Sequence, residues 1–210
     1  MTDAVLGFDT SAAHCAAAVV SDGQILASRT EAMEKGQAER LMPMLEEVLA
    51  EAGLTWRDLS AIGVGTGPGN FTGVRISVAA ARGLALSLGI PAIGVTTFDA
   101  LSFGLSAPVV TLVDARRDAV WLAAQDLSPM QADLSALPDN LRGRHFVGHV
   151  AEAAATALGG TAVAPAHPLA VAIALIAEAR RGTPQPRPAP LYLRAADAAP
   201  SSDPPPVILP

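Results

Sequence analysis

Between Ala61 and Leu88 the chain has little conformational choice. A short apolar run, Ala61-Ile62-Gly63-Val64-Gly65, gives way to Thr66-Gly67-Pro68-Gly69-Asn70-Phe71-Thr72-Gly73 and then to an Ala- and Leu-rich stretch from Val74 to Leu88. The order is strand, rigid turn, helix. Gly67, Gly69 and Gly73 admit positive φ or the close approach of another backbone, while Pro68 fixes its own φ and keeps Gly67 out of the helical region. Asn70 or Thr72 is placed to cap the helix, leaving the N–H groups of Val74, Arg75 and Ile76 facing whatever lies above the loop, as suits an anion. Two readings stay open: a cradle for phosphate or carboxylate, or a turn whose glycines only let strand and helix pack. The Gly-Lys-Ser/Thr ending of a Walker loop is missing. In the helix, Ala79, Ala80, Ala81, Gly83 and Ala85 leave little bulk and only Arg75 and Arg82 carry charge, so it asks for close neighbours within the domain or from another chain.

A chain of 210 residues hides about 70% of its unfolded surface, enough for one large core or two small lobes. The single Cys15 forms no internal disulfide, and the opening Met-Thr-Asp-Ala-Val lacks the basic and apolar regions of a secretory signal, so the expected location is cytoplasmic. Hydrophobic residues make up 50%, yet Gly, Asp and Arg interrupt them before any apolar run is long enough for a bilayer, and no membrane insertion is expected. A net charge of −6 and 4% aromatic residues provide neither a basic footprint nor a stacking platform for bases. If nucleic acid is the target, another subunit does most of the holding.

In chain order, Val5 to Thr10, Ala16 to Val20 and Ile25 to Ser28 read as three antiparallel strands, with Asp22-Gly23 as a hairpin signal. A helix follows from Ala38 to Ala52, with Leu41, Leu45, Val48, Leu49 and Ala52 on one stripe. Pro43 within it predicts a bend or a late start. After the central strand and helix come a strand at Pro91 to Val95 and a helix at Phe98 to Phe103. Val109 to Asp114 then echoes the first strand, ending in Asp before a hairpin, which points to a duplicated architecture with a shorter second copy. Ser128 to Arg144 reads as irregular, Phe146 to Val150 as a strand, and Ala151 to Leu158 and Leu169 to Arg180 as helices completing the second lobe. Beyond Gly182 only Leu191-Tyr192-Leu193-Arg194 has the character to bind the body of the protein.

Asp9 with Thr10 and Ser11 at a strand end suits a metal-bound water or a phosphate, or merely a self-satisfied turn. Asp9, Ser11 and His14 are the residue types of a catalytic triad, but three-residue spacing along extended chain sends Ser11 and His14 to opposite faces, which argues against one. His145 and His149 are four apart in a segment that reads as strand or loop, with no third ligand beyond Glu152, and two surface histidines are the simpler reading. Cys15 sits in an apolar strand and reads as core. Arg116 and Arg117, between Asp114 and Asp118, suit a phosphate or a solvated hairpin tip.

Together, Leu6-Gly7-Phe8-Asp9-Thr10-Ser11, Gln37-Ala38-Glu39-Arg40-Leu41-Met42-Pro43, Gly65 to Arg75, Gly89-Ile90-Pro91, Asp114-Ala115-Arg116-Arg117 and Leu191 to Arg194 resemble the bacterial TsaB family, formerly YeaZ. The resemblance implies an α/β protein with the actin-like ATPase (ASKHA) fold. It would have two ribonuclease-H-like lobes with mixed sheets, 1–104 and a degenerate 105–195; the Pro-, Ala- and Ser-rich composition of 196–210 separately predicts a flexible tail. It implies a non-catalytic, scaffolding subunit that works with TsaD and TsaE to form N6-threonylcarbamoyladenosine in tRNAs reading ANN codons. TsaD is the direct partner, a homodimer forms in its absence, and tRNA is met only indirectly. Where TsaD-like chains resemble Gly-Val-x-His-x-x-x-His, this chain has Thr97 and Leu101 at the histidine positions, which are poor metal ligands. The resemblance therefore implies no catalytic residue, no metal and no cofactor beyond an ATP or ADP contact within the complex. The face implied for the partner is built on Leu41, Met42, Met44, Leu45, Val74, Ser77, Val78, Ala81 and Ala85, and the nucleotide or anion loop on Asp9, Thr10, Ser11, Gly67, Gly69 and Asn70. The alternative is a stand-alone metallopeptidase or nucleotide-dependent enzyme of the same fold, using Asp9, the glycine loop and Asp114.

Overall fold

The computed structural model describes residues 3–116 and 118–193; expectations that fall on Arg117, Arg194 and the tail at 196–210 lie outside the described residues. The chain opens with β1 (Ala4–Asp9), β2 (His14–Ser21) and β3 (Gln24–Ala32), followed by α1 (Gln37–Glu51), β4 (Leu59–Gly65), α2 (Phe71–Leu88) and β5 (Ala92–Val95). After α3 (Thr97–Ser102) come β6 (Val109–Asp114), β7 (Ala119–Ala124), β8 (Leu127–Asp133), β9 (His145–Gly148), α4 (Ala151–Leu158), β10 (Thr161–Val163) and α5 (Leu169–Arg180).

Two five-stranded mixed sheets form, ordered β3-β2-β1-β4-β5 and β8-β7-β6-β9-β10. The orders correspond strand for strand. In each, an antiparallel meander is followed by two strands parallel to its first. The duplication expected from two runs ending in Asp is therefore present. Asp22 and Gly23 both take positive φ, which gives the tight turn that the Asp-Gly pair signalled. The region read as irregular, Ser128 to Arg144, instead contains most of β8 and two single-turn 3-10 helices. Those turns occupy the place that α1 fills in the first half.

The first sheet is covered on both faces, which is why β1 and β2 read as continuous apolar runs. Leu6 and Phe8 of β1 and Cys15, Ala17 and Val19 of β2 face the core shared with α1 and α2. Val5, Ala16, Ala18 and Val20 face α5. One expectation fails here: α5 does not complete the second lobe but lies on the first sheet. The reason is legible in the strands. Gly7 and Gly63 have no side chain, and a Cβ at Gly7 would come 2.6 Å from the Ala174 nitrogen and 2.7 Å from the Ala170 oxygen. The Ala170-Ala174-Ala177 stripe of α5 fits that gap, while Ile173 and Ile176 pack beside Ala100 of α3. The apolar stretch of α5 is thus buried from Ala170 to Ala174 and at Ile176 and Ala177, with Leu175 partly buried.

Pro43 neither delays α1 nor ends it. The helix runs from Gln37 through Pro43, whose ring is exposed, so the missing backbone donor lies on the solvent side. Arg40 binds Glu31 of β3 and Glu47 of α1 at 2.6 to 2.8 Å and Arg29 binds Glu47, an ion-pair network that ties α1 to β3. Hydrogen bonding to Arg40 holds both carboxyls below their usual range. By length and composition alone, α2 could cross a bilayer, a point the interrupted sequence did not suggest. Its inner face nonetheless packs on the first sheet through Val74, Val78, Ala81 and Ala85.

Two measurements test this packing. Gly7→Ala pushes a methyl group into the α5 backbone and should cost about 2 kcal/mol in urea unfolding; an unchanged midpoint would contradict the contact. Burial pushes the Cys15 thiol up to about 11, so a thiol reagent at pH 8 should leave it unmodified until urea unfolds the chain. Rapid labelling of the native protein would contradict its place in the core.

Candidate functional site

β1, β4 and β5 run parallel, so their carboxyl ends, where sites of open α/β sheets gather, meet at one edge. Asp9 ends β1 fully buried. Its Oδ1 accepts from the Ser11 N–H, the Ser11 Oγ and the His14 Nε2, each at 2.8 Å. The structure thus brings Asp9, Ser11 and His14 together, contrary to the expectation that Ser11 and His14 diverge. The turn after β1 breaks the extended geometry on which that argument relied. They still form no relay of the Ser-His-Asp kind, because the serine hydroxyl is given to the carboxylate and not to the imidazole. Oδ2 of Asp9 is buried with no hydrogen-bond partner among the described residues, and it lies where a side chain on Gly65 would overlap it.

The glycine loop closes over this turn. Gly67 takes φ +85° before a cis Pro68. The Thr10 hydroxyl donates to the Gly73 carbonyl at 2.7 Å, and the Asn70 N–H donates to the Ser11 carbonyl at 2.5 Å. A Cβ on either Gly69 or Gly73 would overlap the Ser11 or Thr10 backbone. The reading in which the glycines permit backbone packing is therefore realised at these two positions. α2 also starts earlier than Val74: Asn70 caps it by accepting from the Thr72 and Gly73 N–H groups, and the Val74 N–H donates to the Asn70 carbonyl. Val74 is thus inside the helix, and the amides of Asn70, Thr72 and Gly73 are committed within the chain. Thr97 adds a tie, its N–H donating to Gly67 O at 2.8 Å and its hydroxyl to Pro68 O at 3.0 Å.

The partner face requires correction. Leu41, Met44, Leu45, Val74, Ser77, Val78, Ala81 and Ala85 are all buried within the chain; of the nine expected positions only Met42 is exposed, at 39%. The small and apolar positions of α1 and α2 belong to the core, with Ser77 Oγ bonded back to Val74 O at 3.1 Å. The outer face of α2 carries Phe71, Arg75, Ala79, Arg82 and Leu86, the last 86% exposed. The signal was present: Arg75 and Arg82, seven apart, mark one face of the helix. Outward on α1 stand Ala38, Glu39, Met42, Pro43, Glu46 and Ala50. Tyr192, in the segment expected to bind the body, stands 5.6 Å from the Phe71 ring and accepts from Arg75 Nε at 2.8 Å.

The other candidates stay apart. His145 and His149 are both exposed around β9, and no group of three or more His, Cys, Asp or Glu gathers among the described residues. Asp114 Oδ1 accepts the Arg116 N–H at 2.8 Å, the same turn that Asp9 makes with Ser11.

The family described as "TsaD: tRNA N6-adenosine threonylcarbamoyltransferase" matches residues 24–139, over half of the chain. The tRNA threonylcarbamoyladenosine biosynthesis protein TsaB of Escherichia coli (strain K12) is 35% identical over 57% of this chain and 53% of its own length. The chain spans about half the length of the curated relatives it matches. YeaZ from Pseudomonas aeruginosa superposes with a TM-score of 0.72 at 28% identity, covering 91% of this chain and 100% of that one. The activator of 2-hydroxyisocaproyl-CoA dehydratase from Clostridium difficile, solved with bound ADPNP, shares the fold alone: its TM-score is 0.56 at 13% identity, over 85% of this chain and 96% of that one. Paired sheets of matching strand order, the glycine loop closed on the first hairpin and these likenesses together place the chain in the TsaD-like family, with the actin-like ATPase fold, and within it in the TsaB (YeaZ) group.

Proposed function

We propose that the chain serves the formation of N6-threonylcarbamoyladenosine in tRNAs reading ANN codons as a non-catalytic subunit, scaffolding a TsaD partner together with TsaE in the cytoplasm. The observation that carries this reading is the outer face of α2. It is a helix side with an almost fully exposed Leu86, a small Ala79 and two arginines, beside an α1 face bearing Glu39 and Glu46. Interface cores favour aromatic, arginine and apolar residues, here Phe71, Arg75, Arg82 and Leu86. A basic helix side next to an acidic one is self-complementary under a two-fold axis, which supports a homodimer when TsaD is absent. The expected pairing of helices is kept, and the residues that carry it are moved to the solvent side.

The competing reading, an enzyme in its own right, rests on Asp9 Oδ2, which has no partner among the described residues. Against it stand the loop amides committed to Asn70 and Ser11, and Thr97 committed to Pro68 and Gly67 where the catalytic paralogues resemble histidine. We infer that nucleotide meets this chain only within the complex.

The full chain should co-elute with the TsaD subunit of the same organism, and Leu86→Asp should weaken that association at least about tenfold without changing the melting temperature. Retention of full affinity would refute the placement of the face. Depleting the chain from cells should remove the modified nucleoside from digested tRNA, whereas its persistence would refute the pathway. Titrating the isolated chain with ATP and Mg²⁺ should give no saturable heat; micromolar binding with turnover would revive the enzyme.

A further inference from the structure

Beyond α5, residues 184–193 form no helix or strand, yet they are not idle chain. In the first sheet β5 is an edge strand, and an open edge is a surface that proteins cover or blunt. Pro188 is buried against it, its Cα so placed that a Cβ on Gly94 of β5 would lie 3.5 Å away. The Leu191 N–H then donates to the Thr66 carbonyl at 2.8 Å, just past the end of β4. Pro190 joins Arg75, Val78, Ala79 and Arg82 in lining a shallow hollow of about 410 Å³ on α2. The segment ends over the first turn of α2. There the Arg75 guanidinium lies 3.6 Å above the Phe71 ring, its Nε donates to the Tyr192 hydroxyl, and the two aromatic rings are tilted against each other.

The result is an exposed plate of two aromatic rings and one arginine, assembled from positions 71, 75 and 192. Phe71 and Tyr192 are 56% and 50% exposed. Left alone, an exposed arginine samples many rotamers and loses that freedom when it binds. Stacked on Phe71 and bonded to Tyr192, Arg75 is already ordered, and pre-ordering reduces the cost of association. Tyrosine and arginine are also the residue types that dominate interface energetics.

We propose that the segment from Pro188 to Tyr192 is a strap that builds part of the docking face: Tyr192 fixes Arg75 against Phe71 so that its remaining guanidinium nitrogens, without a partner among the described residues, meet a carboxylate on a TsaD-type partner. Arg75 and Arg82 point outward from α2, which carries no acidic residue, so this side fits an acidic patch on its occupant; that the patch belongs to a TsaD-type subunit follows from the docking reading proposed above. The inference rests on the docking reading and deepens it: the face is a composite of α2 and the C-terminal strap, and Tyr192 is a positioning residue within it.

The test uses the full chain as wild type, Tyr192→Phe, Tyr192→Ala and Leu86→Asp, titrated calorimetrically with the TsaD subunit of the same organism, with a melting curve for each. Tyr192→Ala should weaken binding about tenfold and Tyr192→Phe, which keeps the ring and loses the acceptor for Arg75, about threefold. Raising salt should narrow the gap between wild type and Tyr192→Phe, since the lost element orders a charge. If Leu86→Asp abolishes binding while both Tyr192 variants bind within twofold of wild type, the strap inference is overturned and the docking face stands. If Leu86→Asp also binds as wild type, both readings fall. Should Tyr192→Ala lower the melting temperature, Tyr192→Phe decides alone, and its unchanged affinity overturns the proposal.

Discussion

A buried carboxylate organises the functional end of this molecule. Burying Asp9 without partners would be costly, and the chain offsets that cost by directing the Ser11 amide, the Ser11 hydroxyl and the His14 imidazole to a single oxygen. Those bonds shape the turn after β1, and the turn positions the glycine loop. The Ser11 carbonyl receives Asn70, the Thr10 hydroxyl holds Gly73, and the start of α2 is thereby located relative to β1. α2 in turn sets Phe71 and Arg75, on which Tyr192 comes to rest. The second oxygen of Asp9 has no donor among the described residues, so this network stays open at one point.

The two halves show how a duplicated frame is specialised. Both sheets keep the same strand order, and both first strands end in an aspartate that accepts the amide two residues on. Their coverings differ. The first sheet has α1 and α2 on one face and α5 on the other, while the second has α4 and two single-turn helices where α1 would stand. Because α5 comes after the second sheet and packs on the first, it closes the first core from across the chain. The two glycines beneath it make that crossing sterically possible.

Much of this is legible in the sequence, and the failures have physical causes. Short apolar runs and the Asp-Gly turn locate β1 to β3, and the Gly-Pro-Gly run locates the strand-to-helix junction, because those signals are local. The expected start of α2 falls three residues late, since glycine and threonine at Thr72-Gly73 hide a turn that Asn70 caps. The destination of α5 is hard to read because an all-apolar helix names no partner; only Gly7 and Gly63, far away in sequence, say where it goes. The expected docking face is inside out. Small apolar residues on a helix serve a core or an interface equally well, whereas the spacing of Arg75 and Arg82 distinguishes the sides. Ser11 and His14 diverge only if a straight strand is assumed through a tight turn.

On the proposed reading, a chain with the actin-like ATPase fold has the Asn70, Thr72 and Gly73 amides of its glycine loop held by internal bonds and offers its outer helix to a TsaD-type subunit. Hydrogen–deuterium exchange on the full chain, with and without the TsaD subunit and with and without ATP and Mg²⁺, tests that most directly. The account predicts that the partner slows exchange in peptides covering the first turn of α2 and residues 188–193, and that nucleotide alone leaves residues 66–73 unchanged. Slowed exchange at 66–73 with nucleotide alone, or partner protection confined to other elements, would contradict it.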